Sequence, residues 1–272
     1  MKANKIEHKN RLGTIVAASA VLLLVVGLVV CYGKLKSVYL EQCVVEDMPV
    51  QVEISAGKMV KADVIAENLG LRKGANLALI DFTAKRKELL EKIPNLLSVR
   101  ISRKLPDKVV IVAEERIPVA RLAGPQAKGP AGRVIDTEGM VFICQRGTQN
   151  LPVIREGQTP GTAKGQFAKG RVLAALRLIE ACRNPELSEL GVLEVDTSKR
   201  DFLVATLGNY SKLKILWTGM DEPQTPESRA DLVQRLTNLR DAIRARVKSN
   251  VVIWNATIPD RIFADTQEKP QS

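Results

Sequence analysis

The sequence predicts an α+β protein in three parts: a membrane-crossing helix near the N-terminus, a small β-α-α-β-β unit, and a larger region that mixes strands and helices. Three observations carry this. The 21-residue stretch Leu12–Tyr32, LGTIVAASAVLLLVVGLVVCY, holds no charged residue. Leu97, Val99 and Ile101 alternate with Ser98, Arg100 and Ser102, the period-two signal of a strand with one buried face. Further on, Thr225-Pro226-Glu227 opens a long apolar-periodic stretch with a hydroxyl cap, a proline in the first turn and an acid beside it.

At about 1.5 Å per residue, Leu12–Tyr32 would span roughly 31 Å as a helix, close to the hydrocarbon thickness of a bilayer. A helix satisfies its own backbone there. A buried helix of a soluble protein would show a polar face, and this one has none. A cleaved signal would need a shorter apolar run before its small residues. Ala18-Ser19-Ala20 comes too early for that, and Val30 before Cys31 does not suit a lipoprotein signal. The reading is an uncleaved single span. Lys2, Lys5, Lys9 and Arg11 precede it and only Lys34 and Lys36 follow closely, so the N-terminus is expected inside and the remainder outside.

The chain has 272 residues and a formal net charge of +11. Four Lys/Arg against Glu7 give the segment before the span +3, leaving +8 on the rest. That charge reads either as an ordinary solvated surface or as attraction to anionic lipid or wall polymer. No basic run interleaved with aromatics indicates nucleic acid. Of four cysteines, Cys31 falls in the span; Cys43, Cys144 and Cys182 show no CxxC spacing and are expected as free, mostly buried thiols, with one disulfide among them left open.

After the span, residues 33–42 read as a connector and 43–54 as a strand with Val44, Val45, Val50, Val52 and Ile54. Residues 61–70 read as a short helix with Val64, Ile65 and Leu69 as its stripe and Gly70 at the C-cap. Asp81 is a natural N-cap for a helix over 82–92 that buries Phe82, Leu89, Leu90 and Ile93 and ends at Pro94. The alternating strand at 97–102, turn residues at 104–108 (Pro106, Asp107) and an apolar strand at 109–113 then make a hairpin. Residues 124–132 and 157–165 are loop-like. Residues 133–142 form strand, Asp-x-x-Gly turn, strand. Residues 167–182 form an amphipathic helix on Val172, Leu176 and Ile179. Residues 191–196, 202–207 and 212–217 are strand-like. The helix opened by Thr225 carries Leu232, Leu236, Leu239, Ile243 and Val247, and a strand at 251–258 follows.

Several stretches together resemble the FtsQ/DivIB cell-division family: Asn76–Asp81, Pro94, Leu97–Asp107, Glu115-Arg116-Ile117-Pro118-Val119-Ala120, the 133–142 hairpin, Leu151-Pro152-Val153-Ile154 and Pro259-Asp260-Arg261. Asn255 and Thr257 depart from it, standing where an acid and an arginine are usual. The resemblance implies a cytoplasmic tail (1–11), transmembrane helix (12–32), connector (33–42), POTRA-type domain (43–115), C-terminal β domain with an extended, mostly antiparallel sheet (116–265) and a disordered tail (266–272). It implies a bitopic scaffold in the inner membrane at the septum, with both domains outside the cytoplasm. Its partners would be small coiled-coil, membrane-anchored division proteins, taken up by β-augmentation, and it would help regulate septal peptidoglycan synthesis. The terminal strand and the segment after it would be the capture site: Trp254, Thr257, Ile258, Arg261 and Phe263. A second, weaker edge would be the POTRA strand at Val99, Ile101, Arg103 and Lys104. Membrane lipid would be met by Leu12–Tyr32.

No catalytic, cofactor or metal site is expected, nor a small-molecule substrate. The sole histidine, His8, lies on the other side of the span from the expected domains, which removes a Ser-His-Asp triad or histidine-ligated metal there. GxSxG, HExxH and Walker motifs are absent. Glu114 and Glu115 are strand neighbours and point to opposite faces, so they make no acid–base pair. Trp217 and Trp254 read as core or interface aromatics. Two other classes compete: a POTRA-containing accessory of translocation or envelope assembly, and an anchored cell-wall enzyme.

Overall fold

The computed structural model describes residues 3–44, 50–55, 60–104, 108–124, 132–144, 147–157, 161–246 and 250–266, with side chains left aside at 3–18, 20 and 50–59. The expected Pro106-Asp107 turn, most of the 124–132 loop, part of the 157–165 loop, Val45, Val247 and the tail after 266 lie outside these residues. The chain divides into two compact units, one of residues 1–53, 62–89 and 100–112, the other of 54–61, 90–99 and 113–272.

In the first unit, α1 (Ala3–Gln42) is a single helix of 40 residues. The connector expected at 33–42 is therefore its last turns. The described part includes a stretch, Val21–Gln42, long and apolar enough to cross a membrane. The end of α1 is tied to the loop that follows the second helix. Asn76 Nδ2 donates to the Leu40 carbonyl at 2.8 Å, Leu77 N–H donates to the Cys43 carbonyl at 2.9 Å, and Val44 pairs with Asn76 in an isolated antiparallel bridge.

The elements β1 (Val50–Ser55), α2 (Ala62–Asn68), α3 (Phe82–Lys92), β2 (Leu96–Lys104) and β3 (Lys108–Glu115) follow the expected β-α-α-β-β order. The strands form a sheet in the order β1-β3-β2. In α2, Ile65, Ala66 and the following Leu69 are buried and Gly70 takes φ +76°. That is the left-handed C′ position a glycine fills without Cβ strain. Val64, expected in the stripe, is exposed instead: successive helical residues are 100° apart, and Ile65, Leu69 and Ala66 define the buried arc. Asp81 caps α3, its Oδ1 accepting the N–H groups of Thr83 (2.9 Å) and Ala84 (3.1 Å). Strand β3 buries Val109, Ile111, Ala113 and Glu115 in strict alternation.

The second unit holds a nine-stranded sheet of β4 (Ala120–Ala123), β5 (Arg133–Ile135), β6 (Val141–Ile143), β7 (Val153–Arg155), β8 (Glu194–Asp196), β9 (Leu203–Thr206), β10 (Lys212–Ile215), β11 (Val251–Ala256) and β12 (Phe263–Thr266). Its order is β12-β11-β10-β9-β8-β7-β4-β5-β6. Antiparallel pairs predominate, with parallel pairs at β10–β11, β4–β7 and β7–β8. Helices α4 (Gly170–Ala181) and α5 (Pro226–Ala245) share one hydrophobic core with the sheet, built on Leu176, Leu178, Ile179, Leu213, Ile215, Leu232, Leu236, Leu239 and Trp254. The expected stripe on α4 is recovered, but the helix begins at Gly170. Phe167 lies before it, exposed, in a segment bridged to Met140. Thr225 caps α5 as expected, its Oγ1 accepting the Ser228 N–H at 3.1 Å. None of the four cysteines forms a disulfide; Cys43, Cys144 and Cys182 are buried, and burial pushes the Cys182 thiol up to about 12.

Candidate partner-binding edges

Three of the stretches that carry the family resemblance, around Pro94, Glu115–Ala120 and the 133–142 hairpin, meet inside the second unit. Arg116, at the end of β3, is buried. It hydrogen-bonds Asp136 in the turn between β5 and β6, and reaches Glu138 at 2.9 Å. Burial lowers the Arg116 pKa, and these two carboxylates more than offset it, leaving it raised. Asp136 Oδ1 also accepts the N–H groups of Glu138 (3.0 Å) and Met140 (2.8 Å), and Gly139 closes the turn at φ +87°. Asn95, just after Pro94, accepts the Arg116 N–H at 2.8 Å and donates to the Ile143 carbonyl at 2.7 Å. Glu115 Oε1 accepts the Val60 N–H at 2.8 Å. The Glu-Arg-x-Pro and Asp-x-x-Gly motifs are thus two halves of one buried polar clamp.

The two ends of the nine-stranded sheet differ. At β6 the outer edge is occupied by the chain itself. Val141 donates to the Gln166 carbonyl (3.0 Å) and accepts the Gly165 N–H (2.8 Å), Met140 bridges Phe167, and Ala168 N–H reaches the Gly139 carbonyl at 2.8 Å. At the far end, β11 is not the terminal strand, which corrects the expectation of an open edge at 251–258. It pairs with β10 on one side and with β12 on the other, in the register Asn255↔Phe263, Trp254↔Ala264 and Ile253↔Asp265. The sequence offered little to reveal β12: its four residues, Phe263-Ala264-Asp265-Thr266, are short and half polar. Among the described residues, the outer side of β12 is unpaired.

The residues expected at this end therefore separate. Trp254 is buried in the core and does not face outward. Strand β11 stops at Ala256, and Thr257 turns back on Asn255, its N–H and Oγ1 both donating to Asn255 Oδ1 at 3.1 and 2.8 Å. The two positions that depart from the family pattern are thus partners of each other. Ile258 and Phe263 are about half exposed, at 48% and 47%, and flank a turn in which Asp260 takes φ +56°. Arg261 is exposed in the same turn. Ile262 and Ala264 pack on the core and hold β12 down.

Beneath this end, Arg235 of α5 is buried. It donates to the Ala256 carbonyl at 3.2 Å and to both oxygens of Asp231 at 2.8 and 3.2 Å, while Asp231 also accepts the Thr218 N–H at 2.8 Å. Partial burial would raise the Asp231 pKa, but the Arg235 and Thr218 hydrogen bonds hold it below the usual carboxylate value. Sequence reading missed this clamp, which ties α5 to the end of β11.

Strand β2 is an edge of the three-stranded sheet. Val99 faces inward and is buried, Ile101 is half-buried, and Arg103 and Lys104 are exposed. The Arg103 guanidinium stacks over the Phe82 ring, 4.7 Å from its centroid, and donates to the Ile80 carbonyl. With the exposed Leu79 it rims an open hollow of about 690 Å³.

A hollow of about 880 Å³ lies over the start of α4. Its buried carboxylate, Glu156, is engaged by Arg133 (2.6 Å) and the Thr162 N–H (2.8 Å). Among the described residues no group of three or more His, Cys, Asp or Glu could hold a metal ion.

This fold, a β-α-α-β-β unit with a three-stranded sheet, is a POTRA domain, a scaffold class that mediates protein–protein interaction. Residues 49–116 match the family model described as "POTRA domain, FtsQ-type", and together with the apolar N-terminal helix this supports the FtsQ/DivIB family. No curated protein matches the chain. An FtsQ-type POTRA domain behind a single apolar helix fits a bitopic cell-division protein.

Proposed function

We propose that the chain is a non-enzymatic division scaffold. Residues 12–32 anchor it in the inner membrane with the N-terminus in the cytoplasm, and both domains outside meet other membrane-anchored division proteins at the septum. Capture is by strand addition on β12, with consequent control of septal wall synthesis. The observation that carries this is the asymmetry of the large sheet: the β6 end is closed by residues 165–168 of the chain itself, while β12 presents an unpaired ladder among the described residues. Unpaired backbone groups on an edge strand are a ready template for a partner strand, and neighbouring side chains set specificity. Ile258, Arg261 and Phe263 supply that neighbourhood. Trp254 and Thr257 act from behind, as support for the strand that β12 pairs with. The β2 edge with Ile101, Arg103 and Lys104 is a second docking strand.

The test is a membrane pull-down with mass spectrometry of the parent chain and of Ile258→Lys and Phe263→Lys. Both variants should lose a small membrane-anchored partner while keeping the parent's unfolding midpoint. Normal recovery of the partner by both would remove β12 as the site. A fluorescent fusion should band at midcell; a uniform envelope signal would favour the envelope-assembly alternative.

A further inference from the structure

The loop after α2 is tied to α1 just where the chain leaves the charge-free run. Asn76 Nδ2 donates to the Leu40 carbonyl at 2.8 Å, and the Leu79 N–H closes a turn on the Asn76 carbonyl at 3.1 Å. Asn76 and Leu79 line a hollow of about 420 Å³ with Gly33, Lys36, Leu40 and Glu41 of α1. The helix sets the heights. At about 1.5 Å per residue, Leu40 stands about 12 Å beyond Tyr32, whereas Gly33 and Lys36 stand only about 1.5 and 6 Å beyond it. The headgroup layer is roughly 5–7 Å deep on each side of the hydrocarbon. With residues 12–32 in the hydrocarbon, the lower rim of the hollow lies among headgroups. Asn76 is held at the height of Leu40, about 10 Å above Gly33, so Leu79 is the loop residue that faces this lower rim.

Leu79 is 71% exposed, although Leu77, two residues before it, is buried. It lines two hollows, the one against α1 and the one shared with Phe82, Ile101 and Arg103. A cation therefore stands on each flank: Lys36 on the α1 side and Arg103 on the other. Arg103 donates to the Ile80 carbonyl and lies over the Phe82 ring, and a guanidinium carries five N–H donors, so others remain. Two acids line the same hollows. Glu41 accepts the Ser37 hydroxyl at 3.3 Å and, about 13.5 Å beyond Tyr32, stands above the headgroups. Asp81 Oδ1 is occupied in capping α3. An exposed leucine between two cations has the make-up of an interfacial anchor: the apolar group enters the acyl boundary, and the cations meet anionic headgroups. The height selects the occupant, because any protein reaching Leu79 at that level has to displace lipid already there.

We infer that Leu79, flanked by Lys36 and Arg103, docks the POTRA domain on an anionic phospholipid leaflet. This rests on the membrane placement of α1 proposed above and is independent of what β12 captures. Its consequence is orientation. A single span lets the domain tilt with the helix. A second foothold at Leu79 fixes that tilt, and with it the height at which β2 runs over the membrane.

The test uses the full chain in vesicles of phosphatidylglycerol or of phosphatidylcholine. A nitrobenzoxadiazole probe is attached either at Cys31 of the parent chain or at Leu79→Cys in a Cys31→Ser background, with the buried cysteines retained. Quenching by lipids that carry a doxyl group close to the headgroup is then read. Quenching at 31 reports insertion of α1. In phosphatidylglycerol the probe at 79 should be quenched at least half as strongly as the probe at 31. Loss of one cation near an anionic surface weakens attraction about fivefold, so adding Lys36→Gln should cut the quenching at 79 at least twofold. Phosphatidylcholine should cut it by at least as much. Quenching at 31 without quenching at 79 would overturn the inference and leave the span standing; no quenching at 31 would remove both. Equal quenching at 79 in the two lipids, or no effect of Lys36→Gln, would overturn the anionic docking.

Discussion

Replacing Arg116 with methionine tests the buried clamp directly. Methionine keeps most of the side-chain stem, so the change removes charge and hydrogen bonds with little cavity. It leaves Asp136, 4% exposed, without its cation. Removing one partner of a buried pair costs about 3–5 kcal/mol. Asp136 keeps two backbone N–H donors, and Arg116 Nε is itself buried without a partner, so the lower end, about 3 kcal/mol, is expected. The Glu138 contact adds little, since that side chain is 56% exposed and such pairs contribute about 1 kcal/mol at most. For a chain of this size the loss corresponds to about 6–12 °C in Tm. Urea unfolding of the full chain in detergent, followed by the fluorescence of Trp217 and Trp254, both buried in the second unit's core, reads it out. Arg116→Met/Asp136→Asn should recover about 2 kcal/mol, because asparagine keeps the Oδ1 acceptor and carries no charge to strand. A single-mutant loss below about 1 kcal/mol, or strict additivity in the double mutant, would refute the reasoning.

Two further outcomes are expected. Asp231 has a folded pKa below its ordinary value, so its contribution is fully present above the unfolded pKa and is lost as pH falls through the folded one. Urea midpoints measured downward from pH 6 should therefore fall more steeply for the parent than for Asp231→Asn, and parallel curves would contradict this. Gly139→Ala places a Cβ at φ +87°, 3.4 Å from Leu173 Cδ1, and should cost about 1–2 kcal/mol in the same unfolding assay.

The sequence showed most where one physical signal stood alone. A charge-free run has no other comfortable solvent, Asp81 and Thr225 are caps whose geometry is local, and the period-two alternation of Leu97, Val99 and Ile101 needs no knowledge of the sheet. It showed less where the deciding neighbour lay far along the chain. Val64 reads as apolar stripe until Ile65, Ala66 and Leu69 fix the buried arc. Arg116 and Asp136 are 20 residues apart and each reads as surface charge in isolation. The edge was misplaced by one strand because β12 is four residues held down by Ile262 and Ala264, a pattern too short to separate from a frayed end. Correcting it narrows the expected set, which already held Ile258, Arg261 and Phe263, to its exposed members without leaving the same corner of the fold.

The closure of β6 by residues 165–168 also fixes the valence of the large sheet. Chains with two open edges can join head to tail without limit, and the product is a fibre. A sheet with one open edge among the described residues accepts a single added strand, after which its ladder is full. Two such sheets meeting through β12 would block each other and stop there. Strand addition on this sheet would thus be a terminating event, because one added strand fills its ladder.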